Sequence, residues 1–170
     1  MEKETEHKTI EERVVALLQE KKFRISFAES CTGGLCCARL VNVPSASTVF
    51  DAGVVTYANE AKIRYLGVKP KTIETYGVVS ESVAGEMAEG AAKMQNAQVG
   101  VGVSGIAGPD GGSKEKPVGM VCFGFYVDGT LVTETKQFGS IGRNRVREAS
   151  AEFVFETLER LLQEAGGCAG

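Results

Sequence analysis

The sequence predicts a single α/β domain in which one mixed sheet carries helices on both faces. Three observations lead there. Helical and strand patterns alternate along most of the chain, as parallel strands joined by helical crossovers require. Two strand patterns, residues 118–127 and 131–138, then follow one another directly, joined by Asp128-Gly129, a two-residue hairpin signal that makes this pair antiparallel. The 170 residues show no internal repeat and no linker, and they suffice for one domain with its own core.

Each element has a local cause. Thr9 and Glu12 form a capping box, and Ile10, Val14, Leu17 and Leu18 recur at helical spacing, so a first helix is expected to about Lys21. Residues 23–27 read as a strand. The turn Phe27-Ala28-Glu29-Ser30-Cys31-Thr32-Gly33-Gly34 leads into a helix over residues 35–41, ended near Pro44. Residues 50–57 are rich in β-formers, with Gly53 inside. Asn59 can cap a short helix through Leu66, with Gly67 as its stop, and Pro70 opens another that closes at Gly77. Ser80 caps a longer helix whose face carries Val83, Met87, Ala91 and Met94. Residues 98–103 read as a strand, and residues 105–117, dense in glycine and proline, as a loop. The last helix, residues 143–164, shows a buried stripe of Val146, Ala149, Phe153, Val154, Leu158, Leu161 and Leu162.

Composition narrows the function classes. Hydrophobic residues make up 43% and charged residues 24%, ordinary for a globular protein, and the net charge of −3 leaves no electrostatic footprint for direct nucleic-acid binding. No apolar run suggests a signal peptide or a membrane span, so a cytoplasmic location is expected. A charged leader (residues 1–8), a domain (9–165) and a flexible tail (166–170) are the expected divisions. The five cysteines are odd in number and irregularly spaced, without C-x-x-C, and the one histidine, His7, lies in the leader. That argues against a zinc site, a disulfide framework and a Ser-His-Asp triad.

Four stretches carry candidate chemistry. Ser30 stands where a strand hands over to a helix, a place that exposes a side chain beside free backbone N–H groups. Serines there are usually caps. Gly33 and Gly34, however, each cost about 1 kcal/mol against alanine at a helix start. They make sense if the amides of Cys31, Thr32, Gly33 and Gly34 must reach an oxyanion or a phosphate. Tyr57 ends a strand and Lys62 sits in the first turn of the next helix. The helix dipole and desolvation both favour a neutral amine there, and a neutral amine can activate a serine hydroxyl. A solvated lysine on an amphipathic helix is the commoner role for such a residue. Ser104, Gly105 and Gly108 open the polar loop after a strand, which can fold over a ligand. Gly100, Gly102 and Gly105 match G-x-G-x-x-G, but the match lies inside a strand and no helix follows, so it is not a dinucleotide motif. Arg143, Arg145 and Arg147 open the last helix against its dipole, which suggests an anionic partner or ion pairs to a neighbouring element. Cys31 is a rival nucleophile beside Ser30.

Together these stretches resemble one family, the CinA C-terminal-like or stand-alone nicotinamide-nucleotide amidohydrolases. The resemblance rests on Ala28-Glu29-Ser30-Cys31-Thr32-Gly33-Gly34, on Gly53-Val54-Val55-Thr56-Tyr57 with Asn59 and Lys62, on Gly77-Val78-Val79-Ser80, on Ser104-Gly105-Ile106-Ala107-Gly108-Pro109 with Gly111-Gly112, and on Lys116-Pro117-Val118-Gly119. It covers about residues 14–162. It implies a three-layer α/β/α sandwich and a homo-oligomer. It also implies deamidation of nicotinamide mononucleotide to nicotinate mononucleotide and ammonia, without metal or other cofactor, in pyridine-nucleotide salvage. By the same resemblance Ser30 is the nucleophile, Lys62 its base and Tyr57 the residue that orients or relays the proton. The amides of residues 31–34, the loop from Ser104 and Arg143 or Arg147 are expected to hold the substrate. Two departures stand out: Ser140-Ile141-Gly142-Arg143 replaces the family's Gly-Asp-Arg, and Ser104 stands where some relatives have threonine. Because relatives are linked by name to competence and DNA damage, a catalytically silent protein-interaction module is the alternative reading.

Overall fold

The computed structural model describes residues 7–165, so the tail and most of the charged leader lie outside the described residues. Helix α1 (Ile10–Lys21) begins with the expected capping box and ends at Lys22, whose φ of 57° is left-handed. Strand β1 spans Ile25–Glu29, two residues later than its sequence pattern. Phe23 still donates its amide to the Leu18 carbonyl, and the Arg24 amide is taken by the Gln98 side chain, so the sheet ladder starts only at Ile25. The remaining elements are helix α2 (Leu35–Val41), strand β2 (Val54–Val55), helices α3 (Asn59–Leu66), α4 (Pro70–Tyr76) and α5 (Glu81–Met94), strand β3 (Val99–Gly105), the hairpin β4 (Met120–Val127) and β5 (Thr130–Gln137), and helix α6 (Arg143–Glu164). Asp128 and Gly129 both have positive φ, as the predicted two-residue turn demands.

The second strand is much shorter than the β-rich run over residues 50–57. Only Val54 and Val55 pair with β1, although Phe50 forms an isolated bridge to Ile25. The intervening residues are held by side chains instead: Asp51 pairs with Arg24, and the Ala52 carbonyl accepts from Ser26 Oγ at 2.9 Å. Asn59 is the first residue of α3 rather than its cap; Ala58 takes the cap position and supplies no side-chain bond.

The five strands run in the order β2-β1-β3-β4-β5, with β1, β2 and β3 parallel and β4 and β5 antiparallel. This is the expected three-layer sandwich. On one face α1, α2 and α6 bury Val14, Leu18, Leu40, Val154 and Leu158 against Ile25, Phe27, Val101 and Phe123 of the sheet. Phe155, absent from the predicted stripe, is fully buried with its ring centroid 6.3 Å from that of Phe27, whereas Phe153 is only half-buried. On the other face α5 packs Val83, Met87 and Ala91 with Leu66 and Ala28. Here the strand glycines find their use. A Cβ on Gly100 would collide with the Ala88 carbonyl, and one on Gly102 with the Ala84 carbonyl. They therefore let α5 lie directly on the sheet. Because β1, β2 and β3 are parallel, their C-terminal ends reach the same rim, the usual place for a ligand in an open α/β sheet.

Candidate active site

The rim is built first around Ser30. Its amide donates to the Val103 carbonyl of the neighbouring strand at 3.0 Å, fixing the turn to the sheet. Glu29, the last residue of β1, is completely buried and points its carboxylate at the start of α2. One oxygen accepts from the amides of Gly34 (3.0 Å) and Cys36 (3.1 Å), the other from Cys37 (2.9 Å). The first-turn donors of α2 are thus satisfied from within the protein, and the favourable end of the helix dipole meets a carboxylate.

This corrects one expectation. The Gly34 amide is occupied by Glu29, and the Gly33 amide donates to the Ser30 carbonyl. Neither glycine can point its N–H at an oxyanion. Their φ values of +59° and +106° show what they are for: they turn the chain tightly enough to bring Glu29 under the helix. The amides of Cys31 and Thr32 are left without an intramolecular acceptor among the described residues. A second correction concerns Arg147. Its Nε donates to the Cys31 carbonyl (2.9 Å) and one Nη to the Thr32 carbonyl (3.1 Å), with the other on Asn144. Arg147 braces the back of the turn and does not line the cavity, and the same holds for Thr32, which is fully buried.

Lys62 enters from α3. It is 1% exposed, and its Nζ lies 3.1 Å from Ser30 Oγ, 2.7 Å from the Thr56 carbonyl and 3.3 Å from the Tyr57 carbonyl. No carboxylate pairs with it among the described residues. Burial without a counterion pushes the amine below its ordinary value, since the charged form is the one that loses hydration. Three oxygens surround Nζ, so an ammonium can donate to all of them, Ser30 Oγ included, and loss of one proton turns the contact to the hydroxyl round. A neutral amine has two N–H groups, one for each carbonyl, and its lone pair then faces the serine hydroxyl.

Tyr57 is placed differently from its expected role. Its hydroxyl accepts from an Arg143 Nη at 2.8 Å, while another Arg143 Nη donates to the Gly108 carbonyl at 2.8 Å. The tyrosine side chain is 61% exposed at the mouth of the cavity, and only its backbone carbonyl meets Lys62. Among the described residues the phenol has Arg143 as its hydrogen-bond partner and meets neither Ser30 nor Lys62 directly. Arg143 instead joins Tyr57 to the glycine-rich loop, and it is the arginine of the pair that faces the cavity.

The cavity has a volume of about 450 Å³, within the roughly 300–1,000 Å³ that encloses small-molecule ligands. Ser30, Cys31, Tyr57, Lys62, Ser104, Gly105, Gly108 and Arg143 all line it, so eight of the residues expected from sequence converge; Thr32, Gly33, Gly34 and Arg147 stand behind them. Ser104 is buried and donates its hydroxyl to the Val78 carbonyl at 2.8 Å. The wall also contains Asp110, within the loop expected to hold the substrate, and Asn59 and Lys116, which the sequence did not assign to the site. His7 does not line it. Cys31 is 5% exposed, and burial pushes its thiol up to about 11, so its thiolate is scarce near neutrality. Among the described residues no group of three or more His, Cys, Asp or Glu side chains is placed to hold a metal ion, and no helix is long and apolar enough to cross a membrane.

A three-layer α/β/α domain with a buried Ser-Lys pair at the C-terminal rim of its parallel strands is thus defined. The chain belongs to the CinA C-terminal domain family, whose model matches residues 7–162. A curated relative from Alkaliphilus oremlandii, named for competence-damage induction, is 50% identical over 153 residues, covering 89% of this chain and 37% of that protein. The chain therefore spans a little over a third of the length of such relatives. Among solved structures, the competence/damage inducible protein CihA from Agrobacterium tumefaciens superposes with a TM-score of 0.86 at 39% identity, covering 91% of this chain and 93% of that one. A CinA superfamily protein from Klebsiella pneumoniae gives a TM-score of 0.87 at 32% identity, over 91% of this chain and 96% of that one.

Proposed function

We propose that the domain is a serine amidohydrolase that cleaves the carboxamide of nicotinamide mononucleotide, giving nicotinate mononucleotide and ammonia. One observation carries the chemistry: a buried lysine amine with no counterion, 3.1 Å from a serine hydroxyl on the cavity wall. The choice of substrate rests on the sequence resemblance, and the polar, cation-lined cavity is compatible with it.

In this reading Ser30 Oγ attacks the carboxamide carbon as its proton passes to the Lys62 amine. The negative charge on the former carbonyl oxygen is met by the amide of Cys31, the residue of the turn after Ser30 that lines the cavity; one such donor contributes about 3 kcal/mol to the transition state. The Lys62 ammonium then gives its proton to the departing nitrogen, ammonia leaves, and an ester of Ser30 remains. Water attacks the ester while Lys62 takes one of its protons. Collapse frees the carboxylate, and Ser30 recovers a proton from Lys62. Arg143 keeps Tyr57 and the Gly108 loop together at the cavity mouth.

Ammonia release from nicotinamide mononucleotide tests the reading, with EDTA present throughout. Turnover by wild type, and none by Ser30→Ala or Lys62→Ala, is the expected result. Normal turnover by Ser30→Ala, or loss of wild-type activity to the chelator, would overturn the mechanism. A folded wild type that releases no ammonia would shift the reading to a different amide or to an interaction module.

A further inference from the structure

Lys116 is the cavity residue whose construction the catalytic scheme leaves unexplained. It sits on the loop between β3 and β4. Its main chain closes a small turn with Ser113: the Lys116 amide donates to Ser113 Oγ (3.0 Å) and the Ser113 amide to the Lys116 carbonyl (2.8 Å). Its side chain crosses to the connection between α4 and α5, where Nζ donates to the carbonyls of Tyr76 and Val79, the latter at 2.6 Å. Gly77 makes room for it. That residue ends α4 with φ +79°, and a Cβ there would stand 2.7 Å from Lys116 Nζ. Backbone and tip are both held, so the amine is seated rather than waving in solvent.

The seat leaves charge and a donor to spare. An ammonium has three N–H groups, and two are spent on neutral carbonyls. Among the described residues no carboxylate lies within ion-pair distance of Lys116. The nearby Glu81 carboxylate already accepts from the Thr133 and Thr135 hydroxyls. Asp110 is the acidic residue on the cavity wall. Arg143, the other basic residue of the wall outside the Ser30–Lys62 pair, has committed two of its N–H groups to Gly108 and Tyr57. A fixed, unpaired cation with one free donor on the wall of a small-molecule cavity is suited to an anionic group of the ligand.

We propose that Lys116 is a specificity-determining residue: it takes the phosphate of the substrate and makes the site select phosphorylated ribosides over uncharged ones. The identity of the amide rests on the function proposed above, whereas the anion contact does not. Two measurements separate them. In the first, nicotinamide mononucleotide and nicotinamide riboside are compared as substrates of wild type and Lys116→Met. The variant should lose about 10–100-fold in kcat/KM on the mononucleotide, the worth of one charge-assisted hydrogen bond, and change less than about twofold on the riboside. Equal losses on both would mean that Lys116 only props the wall, and would overturn the proposal. In the second, ribose 5-phosphate and ribose are titrated against melting temperature, which needs no turnover. Ribose 5-phosphate should raise the melting temperature of wild type and not of Lys116→Met, and ribose should raise neither. An equal rise in both proteins would overturn the proposal by placing the phosphate elsewhere. If wild type hydrolyses no amide but ribose 5-phosphate still stabilises it through Lys116, the amidase reading falls and the anion site stands. Lys116→Gln, which keeps a donor for the carbonyls without the charge, repeats both measurements if the methionine variant fails to fold.

Discussion

Replacing Glu29 tests how the active-site turn is held. The carboxylate is fully buried and accepts three backbone amides, two on one oxygen and one on the other. Glu29→Gln keeps the shape but has a single acceptor oxygen. Placed where two amides converge, that oxygen preserves the bonds from Gly34 and Cys36, and the NH₂ group then faces the Cys37 amide. One buried donor is stranded, at about 1–3 kcal/mol. The lost charge at the start of α2 adds up to about 1 kcal/mol. Together these come to about 1–4 kcal/mol, and Glu29→Ala, which strands all three amides and leaves a cavity, should cost more. Urea unfolding followed by circular dichroism measures this as a lower midpoint at unchanged slope. The opposing term is the desolvation of a buried carboxylate, which glutamine relieves. If Glu29→Gln unfolds within about 0.5 kcal/mol of wild type, that term offsets the stranded amide and the lost charge, and the carboxylate is not what holds the turn.

Two further outcomes follow from the same site. Cys31→Ser should keep wild-type turnover within about threefold, and iodoacetamide at pH 7.5 should not inactivate the protein, because a thiol raised to about 11 is ionised in only about one molecule in several thousand. A Cys31→Ser variant as inactive as Ser30→Ala would make the thiol the nucleophile. Lys62 also links stability to pH. Its folded-state value lies below the ordinary 10.5, so between the two the unfolded chain holds a proton that the folded chain lacks. Wild-type stability should therefore gain from this group as pH rises through that interval, and the gain should be missing in Lys62→Met. Parallel stability–pH curves for the two proteins would contradict the depressed value.

How far the sequence carried depended on whether local pattern or tertiary contact decided the outcome. Helices α2 and α6 begin and end where the sequence reading put them, because the glycine turn before α2 and the long apolar stripe of α6 are local signals. The Asp128-Gly129 hairpin is equally local. The run over residues 50–57 failed as a strand because Asp51 and Ala52 are bound by side chains of β1 and its approach, Arg24 and Ser26, contacts that β-propensity does not register. Ser30 and Lys62 were legible as candidates from their places at element junctions, but their 3.1 Å approach is a product of the parallel sheet that brings β1 and β2 side by side. Glu29, Arg147 and Lys116 were less legible in role. Each is a charged residue turned onto backbone groups of a distant or folded-back segment, and sequence records the charge without the partner. Gly77, with a side chain's tip in the space its Cβ would fill, was visible only as a helix stop.

The proposed attack by Ser30 requires that the Lys62 amine can be neutral beside the serine hydroxyl. Direct observation of Lys62 Nζ by nitrogen-15 NMR in lysine-labelled protein, assigned by loss of the signal in Lys62→Met, tests this most closely. The expected result is a titration below 10.5 that shifts when Ser30 is replaced by alanine, since the hydroxyl lies 3.1 Å away. A Lys62 signal that stays that of an ammonium up to pH 10.5 or beyond, and is indifferent to Ser30, would contradict it.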